Sequence, residues 1–78
     1  MSVLDDLADA LARDAIAAAE KLGNDAIIRL VGDQLGASSS TMQEAYLTSI
    51  RIRLAEQRAR QFLEAQLSGT GVPEDSPD

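Results

Sequence analysis

The sequence predicts an all-α fold of three helices, the third much longer than the others. Three observations carry this reading. Apolar residues recur three and four positions apart through most of the chain, the period of an amphipathic helix. Gly23 and Gly36 each stand at the end of such a stretch, where helices commonly stop. Between Thr41 and Leu67 there is neither glycine nor proline, so nothing breaks a helix there. Seventy-eight residues allow one domain with a small core.

The first helix is expected over residues 3–22. Ser2 can cap it, with Asp5 three residues on, and Leu4, Leu7, Ala8, Leu11, Ala15, Ala18, Ala19 and Leu22 mark its apolar face. Asp5, Asp6 and Asp9 lie near the end where the helix dipole favours anions, and Lys21 lies near the end where it favours cations. Gly23 supplies a left-handed terminator. The second helix starts from a cap at Asn24 or Asp25 and carries Ala26, Ile27, Leu30, Val31 and Leu35 to its end at Gly36. Eleven residues are marginal for an isolated helix, so packing must hold it. Gly36 is expected to turn the chain in a left-handed conformation. Ser38, Ser39, Ser40 and Thr41 crowd the next boundary, where Ser40 with Gln43 and Thr41 with Glu44 are both possible capping boxes. The third helix is expected over residues 41–67, roughly 40 Å at 1.5 Å per residue. Residues 1–67 then form the domain. Residues 68–78 hold two glycines, two prolines and three acids and are expected to be a disordered acidic tail.

Composition removes several function classes. There is no cysteine, which excludes disulfides and cysteine-ligated metals, and no histidine, the commonest general base and zinc ligand. The helix dipole and solubility account for Asp5, Asp6 and Asp9, so no metal site is expected. Three short helices rarely enclose the concave pocket that acid–base chemistry needs, so no catalytic residues, no cofactor and no enzymatic activity are expected. No apolar run approaches the roughly 18 residues that span a bilayer, and the acidic start Met1-Ser-Val-Leu-Asp-Asp is not a secretory signal. A cytoplasmic location without membrane contact is the expectation. The net charge of −6 disfavours nonspecific binding to nucleic acid. Only residues 48–67 carry a positive excess, with four arginines against two glutamates.

The segment from Leu30 to Leu47 carries the most pointed signal. Gly32 is a small residue four positions before Gly36, and Ser38 or Ser39 can cap the helix that follows. Leu35, Met42 and Ala45 lie one before, six after and nine after Gly36, which can lock the two helices together with Val31. This spacing resembles the helix-turn-helix unit of DNA-binding regulators. The resemblance covers about 20 residues and implies a helix-turn-helix-like pair with a long C-terminal third helix, acting as a dimeric regulator on double-stranded DNA. Ser39, Ser40, Thr41, Gln43, Glu44 and Tyr46 would then face the groove or the phosphates, with Gln43 reading adenine. No lysine or arginine stands between Arg29 and Arg51, so the phosphate contacts would fall to Arg51 and Arg53. The stretch Leu35-Gly36-Ala37-Ser38-Ser39 also resembles the motif before the modified serine of acyl carrier proteins. Ser38 replaces the aspartate of that motif and Ser40 its leucine, so the segment reads better as a helix cap.

The same glycine and apolar positions also suit a plain helical hairpin that serves protein binding. The first helix spans roughly 30 Å, and the third outreaches it by about two turns. Leu54, Phe62, Leu63 and Leu67 are therefore expected to form an interface, either with a second copy or with a protein partner, the chain then being an acidic interaction module such as an adaptor, chaperone, antitoxin or inhibitor that binds no DNA. Arg51, Arg53, Arg58 and Arg60 are spaced two, five and two apart, and Glu56 is placed to pair with Arg53 or Arg60.

Overall fold

The computed structural model describes residues 2–69, which form three helices and no strand: α1 over Val3–Leu22, α2 over Ala26–Gly36 and α3 over Ser40–Ser68. The all-α expectation holds, with α3 two residues longer than the spacing suggested. Ser68 is the last residue of α3 and Gly69 its left-handed cap; the rest of the expected acidic tail, residues 70–78, lies outside the described residues.

Local chemistry sets each boundary. The Ser2 hydroxyl accepts the Asp5 amide at 3.1 Å and opens α1. Gly23, at φ +64°, closes it by donating back to α1 carbonyls. The side-chain oxygen of Asn24, not that of Asp25, accepts the Ala26 amide at 3.1 Å and starts α2. Among the four hydroxyl residues around the start of α3, Ser39 is the cap: its side chain accepts the Met42 amide at 3.0 Å. Neither proposed capping box is used.

Gly36 departs from expectation. It is the final helical residue of α2, and Gly23 and Gly69 are the described residues with positive φ. The turn is made instead by Ser38 and Ser39, whose amides both donate to the Leu35 carbonyl. Gly36 instead lies close to α3: a Cβ there would sit 2.6 Å from the side-chain nitrogen of Gln43, which would have to shift.

Links of three residues join the helices, so α2 cannot carry the chain far. Eleven residues span about 16 Å, whereas a parallel α3 with Asp9 beside Arg53 would have to begin some 40 Å from the end of α1. α3 therefore returns antiparallel along α1, and that contact is the broadest in the molecule.

Tyr46 is fully buried where all three helices meet. From α1, Ala8, Ala12, Ala15 and Ile16 share its core cluster, which Ile50 of α3 completes. The alanines leave a shallow groove that lets α3 approach closely. Toward α2, the Tyr46 hydroxyl donates to the Ile28 carbonyl at 2.7 Å. One turn earlier on α3, the Gln43 amide donates to the Gly32 carbonyl at 2.9 Å. The two bonds share a device. Each accepting carbonyl lies one helical turn before a glycine: Ile28 before Gly32, and Gly32 before Gly36. At Gly36 a Cβ would crowd the Gln43 side chain, whereas at Gly32 it would meet the Tyr46 ring at ordinary contact distance.

Two substitutions test this packing by chemical denaturation. A Cβ on Gly32 would sit at ordinary contact distance, 3.5 Å, from the Tyr46 ring. Gly32→Ala should thus be tolerated and gain up to about 1 kcal/mol from helix propensity. Gly32→Leu should cost about 1–3 kcal/mol by overpacking. Equal stability of the leucine and alanine variants would contradict the close approach described.

Candidate interaction surface on the third helix

The residues proposed for DNA reading divide into two groups. Tyr46 and Gln43 point inward and are held by α2 carbonyls, and the hydroxyl of Ser39 is committed to its cap. Tyr46 has no exposed surface at all, so it cannot stand in a groove. Ser40, Thr41, Glu44 and Arg51 are exposed. The exposed surface at the start of α3 thus keeps two hydroxyls and an acid, with its first cation at Arg51.

Arg53 is taken by α1. It makes a bidentate pair with Asp9, with Nε to one carboxylate oxygen and Nη2 to the other, each at 2.7 Å. The hydrogen bonds from Arg53 hold the Asp9 carboxyl below its ordinary value of 3.8, against partial desolvation. Asp9 in turn raises Arg53. The pair is half open to solvent, with side-chain exposures of 49% and 35%, and borders a shallow depression lined also by Ile52, Glu56 and Gln57. Further along α3, Arg60 pairs with Glu56 one turn earlier, as the spacing allowed. Arg51 and Arg58 are exposed and have no side-chain partner among the described residues.

Of the expected interface residues, Phe62, Leu63 and Leu67 are 67%, 51% and 79% exposed. Leu54 is different. It is half-buried and packs against the core, so the chain itself covers it. Its place on the outer surface is taken by Ile52, 64% exposed, which sequence reading missed. Ile52, Ala55, Ala59 and Phe62 are spaced three, four and three apart, and all four are exposed. That spacing was readable as a second apolar stripe, set opposite the core stripe through Tyr46, Ile50 and Leu54. α3 thus has apolar faces on both sides. One meets α1 and α2, and the other meets solvent.

Among the described residues, no cluster of three or more acidic side chains is arranged to hold a metal ion, and no helix is long and apolar enough to cross a membrane. No protein-family model, curated protein or solved structure matches the chain.

The Asp9–Arg53 pair gives stability a defined dependence on acid. Because the folded carboxyl value is lowered, its contribution is present above the unfolded value and fades as pH falls through the folded one. Asp9→Asn should destabilise the protein at neutral pH. The urea midpoints of variant and parent should converge well below pH 3.8. A gap that stayed constant down to strong acid would show that the pair contributes nothing through its charge.

Proposed function

We propose that this protein is a helical protein-interaction module whose working surface is the outward face of α3. The observation that carries the reading is the exposed stripe Ile52, Ala55, Ala59 and Phe62, with Leu63 and Leu67 also exposed toward the end of the helix. Several large apolar side chains in one exposed strip cost solvation free energy, and such strips mark interaction sites. The scaffold around the strip suits that task. α1 and α2 clamp the first half of α3 and hold its second half as a preformed helix, so a mate would not have to order it.

The DNA-reading arrangement has less support. Its base-reading glutamine and its tyrosine are held by α2, Arg53 is neutralised by Asp9, and Glu44 is exposed on the face that would meet a polyanion.

Photo-crosslinking separates the two readings. A photoreactive amino acid at Phe62, introduced in living cells, should give discrete protein adducts, whereas the same group at the exposed Glu20 of α1 should give none. Nucleic-acid adducts, together with binding of random duplexes at about 50 mM salt that Arg51→Ala abolishes, would instead favour the regulator.

A further inference from the structure

We propose that the occupant of this face is a second copy of the same chain, with two α3 helices packed in parallel along Ile52, Ala55, Ala59 and Phe62. This rests on the interaction-module reading and names its partner. The charges around the stripe select that mate. With Ile52 and Ala59 at one seam position and Ala55 and Phe62 at the other, the three-four-three spacing is that of a coiled-coil seam. Arg51 and Arg58 border it on one edge. Glu56 and Leu63 border it on the other.

In a parallel pair, each residue of the first edge faces the mate's residue five positions further on. Arg51 then meets Glu56 of the second copy, and the aliphatic stem of Arg58 lies over its Leu63. Both relations occur twice by symmetry. In an antiparallel pair, like edges meet, which sets the arginines of the two copies against each other. The face is therefore self-complementary in one orientation only. Among the described residues, Arg51 has no competing ion pair, and Glu56 pairs with Arg60 in exposed i,i+4 geometry, which is easily exchanged. The core of each subunit lies on the opposite side of α3, through Tyr46 and Ile50, so it does not obstruct the mate. Alanines at two seam positions allow close approach, and Ile52 and Phe62 supply the larger apolar surface.

Sedimentation equilibrium of the full chain at tens of micromolar should give twice the chain mass. Phe62→Glu and Ile52→Asp, both at exposed positions, should give monomers with unchanged helical circular dichroism. Arg51→Glu and Glu56→Arg should each raise the dissociation constant roughly three- to tenfold, and the two together should restore it. Orientation is read from a spin label on Ser68→Cys, unique because the chain has no cysteine. Parallel packing places the two labels at the same height. An antiparallel pair centred on Ala59 would separate them by about 27 Å along the axis. A monomer at all concentrations, a dimer that survives Phe62→Glu, a swap that fails to rescue, or the long label distance would each overturn the proposal. Adducts at Phe62 with some other protein, combined with a strict monomer, would reject the homodimer and leave the interaction reading standing.

Discussion

The structure depends on the burial of one tyrosine. Tyr46 fills the junction of the three helices and has a single polar atom to satisfy there. Its hydroxyl donates to the Ile28 carbonyl, and its ring packs beside Gly32 of α2. A buried hydroxyl without a partner would cost about 1–3 kcal/mol, a large share of the stability available to so small a core. The ring therefore fixes where α2 lies, and the alanine row of α1 fixes how near the ring can come. The other contacts of the core gather around that arrangement: Gln43 adds a second bond to α2, and Arg53 adds a bidentate pair to α1.

Much of the fold was legible because its boundaries are local. Ser2, Gly23 and Asn24 act on residues two to four positions away, and chain order alone reveals them. The start of α3 was readable only to within a residue, since four adjacent hydroxyls offer similar caps and tertiary packing selects Ser39. Gly36 was misread because a glycine that frees the chain to turn and one that makes room for a neighbour look alike in sequence. The Gln43 side chain decides between them, and it arrives from another helix.

The candidate surface was legible in part. The excess length of α3 correctly placed Phe62, Leu63 and Leu67 outside the core, because it followed from a comparison of helix lengths. Leu54 was placed outward and Ile52 passed over, since with apolar residues on opposite faces of one helix, spacing alone does not say which face turns inward. Gln43 and Tyr46 fitted a groove-reading helix by position, and the same positions stitch α3 to α2. The partner of Arg53 lies 44 residues away, a separation at which no local pattern identifies it.

The three-residue links between helices also bear on how the chain folds. The bonds joining α3 to α2 close loops of 11 and 18 residues, whereas the pair joining α3 to α1 closes one of 44. Loop-closure entropy grows slowly with length, so the fourfold range from 11 to 44 costs only about 1.2 kcal/mol more. That difference still favours formation of the α2–α3 hairpin around Tyr46 before α1 docks. Until it docks, the alanine-facing side of the ring stands in water. Loop closure thus favours the docking of α1, the first helix in sequence, after the α2–α3 hairpin.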